Sequence, residues 1–395
     1  MKIFVPAMGR VNTRNRDGSE VRFAEMAKEW IARGEDLHIL LPEREVDVLS
    51  QQGVRGATLQ VLKEPVGSER DSLSNVLIVY AVRMLQSLRV KYPAPVDVIY
   101  APSDFLVDTI PAFLCKLRNK RARLFVCVFL LAPHPLKGYQ GIHTDRRRFP
   151  TARGVLYYLT QKITIRLTRR LHGKLLVLNN ADRDTLIESG VAGADVIVVS
   201  MGVDVDGFSR TPADVHGEYD GIFLGRLHPQ KGVLDLIEIW KRVCAKRSSS
   251  RLAVVGGGDE WWFDQLRRRI EAEGLQANID LLGFRAGEEK VKLLKSAKCL
   301  VIPSYYESWG MVAIEAMSCG LPVVAYDLPV FRDIFPQGMV RVPIGDTDAM
   351  ADAVLTLTTE PEYAGRLSRE AVSHARKFEW GAIADAELRV LAGQR

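Results

Sequence analysis

Short apolar runs alternate with segments of helical period along the chain. Met1 to Pro6, Asp97 to Tyr100, Leu124 to Leu131, Lys174 to Leu178 and Val196 to Val199 are four to eight residues long and nearly continuous in apolar side chains. Runs of that length, without strict alternation, suit strands buried on both faces of a sheet. After Ser200 the pattern lapses through Gly202 to Asp220, and Gly221-Ile222-Phe223-Leu224 restarts it. The second half then repeats the same grammar at Ile222 to Gly225, Leu252 to Gly256, Ile279 to Gly283, Cys299 to Pro303 and Pro322 to Tyr326. The alternation predicts an α/β protein of two doubly wound domains, residues 1–203 and 204–377, each built from βαβ units. Such sheets bind ligands beyond the carboxyl ends of their strands, so the expected site is a cleft between the two domains.

Composition agrees with two cores. A chain of 395 residues exceeds what one core serves, and 47% hydrophobic with 26% charged residues is a globular profile. The opening run reaches Gly9 and Arg10 too early for a secretory segment, so the expected location is the cytoplasm. Leu124 to Ala132, the longest apolar run, has nine residues, against roughly 20 for a membrane span. Five cysteines without CxxC spacing suit reduced thiols and no zinc site. Charge divides the halves: residues 1–200 hold 30 Lys and Arg against 20 Asp and Glu, whereas the remainder is net acidic.

The stretch Cys299 to Val324 carries the densest chemistry. It reads as strand, turn with Glu307, Ser308, Trp309 and Gly310, short helix with Met311, Val312 and Glu315, glycine stop at Gly320, then strand. A helix opening near Gly310 presents free amides and the positive end of its dipole, which together hold a phosphate. Glu307 and Glu315 flank that anion site, and carboxylates accept hydrogen bonds from sugar and ribose hydroxyls. Upstream, Gly225 ends another strand and is followed by Arg226 and Lys231, two cations able to stabilise a departing pyrophosphate in place of a divalent metal.

Gly225-Arg226 through Lys231-Gly232, Glu307 through Glu315, and Glu315 to Val324 resemble the signature of the retaining glycosyltransferases of family 4. The resemblance runs over nearly the whole chain, from the Asp17-Gly18-Ser19-Glu20 loop before an amphipathic helix to Lys377-Phe378-Glu379-Trp380 before a closing helix. It implies a GT-B fold of two Rossmann-like domains facing across a cleft, with the last helix, about residues 378–395, crossing back to the first domain. It further implies that Arg226 and Lys231 bind the donor diphosphate, Glu307 the donor sugar and Glu315 the ribose. Gly310 to Val312 would take the phosphates, with Ser308 and Trp309 in the same donor loop, and Phe284 and Arg285 would lie beside the base. Gly18 and Ser19 stand where members often carry a Gly-Gly pair facing the phosphates. A catalytic-loop histidine is implied in the first domain; His134, after the run ending at Leu131, fits it, with His143 and His172 as alternatives. Front-face retention without metal or other cofactor follows, from a UDP- or GDP-sugar to a glycan or lipid-linked acceptor of envelope or polysaccharide synthesis.

Between Thr144 and Lys174, Arg146, Arg147, Arg148, Arg166, Arg169 and Arg170 belong to a basic stretch interleaved with apolar residues. It could meet an acceptor on an anionic membrane surface. No recognised nucleic-acid motif accompanies the charge, so nucleic acid is not an expected partner. Alternatives are a sugar-nucleotide epimerase on the same fold and a non-catalytic nucleotide-sugar-binding scaffold. A dinucleotide oxidoreductase is disfavoured because Trp261 replaces the third glycine after Gly256 and Gly258.

Overall fold

The structure is a computed structural model, and it describes residues 1–9, 18–64, 73–135, 151–212 and 218–394. The chain divides into two compact units. Unit 1 takes the described residues of Met1–Gln140 and Thr144–Met201 together with Trp380–Arg395; unit 2 takes those of Gly202–Glu379.

Unit 1 runs β1 (Lys2–Pro6), α1 (Gly18–Ala32), β2 (Asp36–Pro42), α2 (Glu43–Gln51), β3 (Thr58–Leu62), α3 (Leu73–Leu88), β4 (Val98–Ala101), α4 (Leu106–Arg118), β5 (Arg123–Cys127), α5 (Ala152–Arg170), β6 (Lys174–Val177), α6 (Asn180–Glu188) and β7 (Val196–Val198). Its parallel sheet has the order β3-β2-β1-β4-β5-β6-β7, so the winding reverses between β1 and β4. Ile3, Val5, Val98, Ile99, Val126 and Leu176 on the central strands are fully buried, because helices cover both faces. The strand expected to reach Leu131 ends at Cys127, and the loop expected at Gly18 and Ser19 is the first turn of α1.

Unit 2 runs α7 (Val205–Arg210), β8 (Gly221–Leu224), α8 (Val233–Lys246), β9 (Leu252–Val255), α9 (Glu260–Ala272), β10 (Ile279–Gly283), α10 (Gly287–Lys295), β11 (Leu300–Ile302), α11 (Met311–Ser318), β12 (Val323–Tyr326), α12 (Pro329–Ile334), β13 (Met339–Val342), α13 (Thr347–Thr359) and α14 (Pro361–Ala375). The sheet order β10-β9-β8-β11-β12-β13 reverses between β8 and β11. The core between sheet and helices is built on Trp240, Phe223, Leu252, Val301 and Val354.

The last helix, α15 (Trp380–Ala392), belongs to unit 1 and packs on α1. A buried ion pair joins them: Arg22 donates to Glu387, to the Tyr100 hydroxyl at 2.8 Å and to the Ser200 carbonyl at 2.9 Å. Among the described residues no helix is long and apolar enough to cross a membrane.

Candidate functional site

Both switch points carry polar groups. In unit 2, the loop after β8 is laced to its neighbours by backbone bonds: Gly225 N–H donates to Val255 O at 3.0 Å and Leu227 N–H to Gly257 O at 2.8 Å. Arg226 sits between these two anchored residues with its side chain exposed. A 3-10 turn, Pro229–Lys231, then leads into α8 through Gly232, whose φ of 68° and close approach to Pro303 both require glycine. A Cβ there would stand 1.9 Å from the Pro303 carbonyl oxygen.

That approach sets Lys231 against the loop after β11. Its ammonium lies 2.6 Å from Glu307 Oε1, which also accepts from the Ser304 hydroxyl at 2.8 Å. Tyr305 N–H donates to Gln230 O at 2.9 Å, and the Gln230 amide donates to Tyr306 O at 3.2 Å, so the two loops are zipped together. Beneath them the hydroxyls of Tyr305 and Tyr326 donate to Asp235 Oδ2 at 2.6 and 2.7 Å. Burial, with Asp235 alongside, pushes both phenols well above the ordinary tyrosine range, so they stay protonated donors.

Gly310, with φ 106°, caps α11. The first helical bonds run from Ala313 and Ile314 to the Gly310 carbonyl, leaving the Met311 and Val312 amides ahead of the ladder. Glu315, one turn into the helix, is paired with Lys290 of α10 at 2.8 Å. The structure thus brings Lys231, Glu307, the α11 start and Glu315 onto connected elements of unit 2. Trp309 is placed differently: its indole is buried edge-on against Phe335 and Phe378 at 5.4 and 5.3 Å, so its side chain is core. Phe284 is exposed, and Arg285 is turned to its own loop, donating to Phe284 O at 2.9 Å and pairing with Glu289. Ser304, Lys290 and the Asp235, Tyr305 and Tyr326 cluster carry no mark in the sequence, since each lies in an ordinary strand end or helix face.

In unit 1, a cavity of about 90 Å³ opens at the switch point, lined by Ser19, Glu20, Glu45, Phe105 and Asp108 among others. Asp108 is fully buried, accepting from Met8 N–H at 2.6 Å and from the Ser103 hydroxyl. Burial pushes its carboxyl up to about 7 against those donors. The folded state therefore holds this proton more tightly than the unfolded chain, where the group titrates near the ordinary value of 3.8. Asp108 contributes its full stabilisation below that value and loses it as pH rises to about 7. Urea titrations of wild type and Asp108→Asn across this window are expected to diverge, the wild type weakening with pH and the variant, a fixed neutral mimic, following a flatter course. Parallel courses would remove Asp108 from the pH dependence.

Gly18 and Ser19 lie in this unit, on α1. His134 is seven residues past β5, exposed, with its ring edge-on to Tyr158 at 5.5 Å. His172 follows α5 in a left-handed conformation at φ 54°, and His143 lies outside the described residues. Arg166, Arg169 and Arg170 are exposed on α5, while Arg146, Arg147 and Arg148 lie outside the described residues.

Residues 209–374 match the family model described as glycosyl transferases group 1. A phosphatidyl-myo-inositol mannosyltransferase of Mycobacterium leprae is 34% identical over 205 residues, covering 50% of this chain and 54% of that protein. A D-inositol 3-phosphate glycosyltransferase of Saccharomonospora viridis is 31% identical over 235 residues, covering 54% of each. The chain thus spans about half the length of the curated relatives it matches. Among solved structures, Anabaena Alr3699/HepE in complex with UDP and glucose superposes with a TM-score of 0.74 at 18% identity, covering 99% of each chain. Sucrose-phosphate synthase from Thermosynechococcus elongatus gives 0.71 at 16% identity, covering 99% of this chain and 98% of that one. At these identities the likeness shows the fold, which is GT-B.

Proposed function

We propose that this chain, residues 209–374 of which match the family model described as glycosyl transferases group 1, is a glycosyltransferase, taking a sugar from a nucleoside diphosphate sugar held by unit 2 and passing it to an acceptor held by unit 1. One observation carries the reading: at the switch point of unit 2, Lys231 meets Glu307 at 2.6 Å in the loop that leads to the open amides of α11. An anion and a polyol are the two things such a set binds together. The donor diphosphate sits on the Met311 and Val312 amides, with Lys231 and Arg226 taking up the charge that grows as it leaves. No divalent metal is needed for that charge. Glu307, released from Lys231 by the phosphates, accepts hydroxyls of the transferred sugar; Glu315 accepts those of the ribose.

Transfer proceeds with retention. The bond from the anomeric carbon to the phosphate oxygen breaks, the acceptor oxygen bonds that carbon on the same face, and the acceptor proton passes to the departing phosphate. His134 is the unit 1 group proposed beside the transferred sugar. The base is uracil or guanine, in keeping with the UDP named in the Anabaena complex. The acceptor is a glycan or lipid-linked molecule of envelope or polysaccharide synthesis met at an anionic inner membrane surface, in keeping with a relative named for phosphatidyl-myo-inositol.

Release of nucleoside diphosphate from a panel of UDP-, GDP- and ADP-sugars, with membrane extract as acceptor source, tests the reading. One donor class is expected to turn over with wild type and not with Glu307→Ala. No release from any donor would point to a binder without turnover.

A further inference from the structure

Helices α3, α4 and α5 pack side by side in unit 1, as right-handed crossovers on one face of its sheet. Their outer surface is unlike an ordinary solvated layer. On α3 the exposed positions Leu77, Ile78, Ala81, Leu85 and Leu88 form one stripe at helical spacing, with Ile78 59% and Leu85 63% exposed. Leu117 at the end of α4 is 57% exposed, and Leu156, Leu159 and Ile163 continue the apolar surface along α5. These helices hold a single carboxylate between them, Asp108, and it is buried.

The polar positions are cationic instead. Arg118 closes α4, and Arg153, Lys162, Arg166 and Arg170 are exposed on α5. None of these five has an ion-pair partner among the described residues. We propose that this face lies on an anionic lipid bilayer, with the α3 stripe entering the boundary between headgroups and acyl chains and the α5 cations meeting phosphates. This deepens the reading of a lipid-linked acceptor and rests on it. Exposed leucines side by side need an apolar counterpart, and cations without carboxylates need an anionic one; a leaflet of acidic lipid supplies both. A second copy docking through the same face would set cation against cation. At 16 residues, α3 offers about 24 Å of contact, long enough to rest along an interface.

Flotation of the full chain with phosphatidylcholine vesicles, and with vesicles in which about a third of the lipid is phosphatidylglycerol, tests the face. Wild type is expected to float with the anionic vesicles and remain behind with the neutral ones. Ile78→Glu with Leu85→Glu is expected to reduce flotation about tenfold or more at an unchanged thermal midpoint, since both positions are already exposed. Arg166→Glu with Arg170→Glu is expected to do the same, and added salt to mimic it. Wild type that fails to float, or an apolar double variant that floats like wild type, overturns the proposal. So does sedimentation showing a dimer that Leu85→Glu dissociates, which would assign the face to a second copy, or binding to an acidic soluble protein with none to vesicles. Turnover on a water-soluble acceptor without vesicles separates the two readings. Turnover without flotation sinks the bilayer face alone; flotation without turnover on any donor sinks the glycosyltransferase reading and leaves the face standing.

Discussion

Lys231→Ala is expected to lower donor turnover about a thousandfold, the upper end of what one fixed electrostatic donor supplies to a transition state. The magnitude follows from placement. Gly232 brings the turn so close to β11 that the ammonium meets Glu307 directly, and the surrounding loops are fixed by Tyr305, Gln230 and the Asp235 cluster. Once the bound donor has displaced Glu307, the ammonium needs no further reorganisation when diphosphate charge develops. Folding should survive at reduced stability, because Glu307, 9% exposed, loses its ion-pair partner but keeps the Ser304 hydroxyl. Steady-state kcat together with a thermal melt checks this. A loss below about tenfold would mean that Arg226 or the α11 amides carry the leaving group by themselves.

Glu387→Ala is expected to destabilise unit 1 by about 3–5 kcal/mol, by leaving the Arg22 guanidinium buried and uncompensated. Each partner's side chain is 1% exposed, so water cannot replace the lost carboxylate. Replacing both, Arg22→Met with Glu387→Leu, should cost less than the single change because no charge is then stranded. Urea unfolding read by a probe in unit 1 distinguishes the cases. A single variant within 1 kcal/mol of wild type would show that α15 is held to α1 chiefly by its apolar contacts.

The fold class was legible because parallel strands covered on both faces appear as continuous apolar runs, and β8 to β12 coincide with such runs to within a residue or two. The edge strands β3 and β13 were not: Thr58, Leu59 and Val61 are exposed, and Arg341 interrupts Met339–Val342, so neither carries the pattern of a buried strand. Gly18 misleads for another reason, since a glycine normally signals a loop and here opens a helix. The local chemistry around Gly310 follows from chain order alone, strand then turn then helix. Pairings across the chain do not: Lys290 looks like one more charge on the polar side of α10, and only the fold sets it on Glu315. The bare flank of α3 is equally silent, because a helix apolar on nearly all sides reads as buried.

Transfer as proposed depends on diphosphate held by the start of α11 beside Lys231. A crystal structure of the full chain with its turned-over nucleoside diphosphate sugar tests this most directly. Phosphate oxygens are expected within hydrogen-bonding distance of the Met311 and Val312 amides and of the Lys231 ammonium, with Glu307 turned to sugar hydroxyls. A donor bound elsewhere, with the pair between Lys231 and Glu307 still closed at 2.6 Å, would contradict that placement.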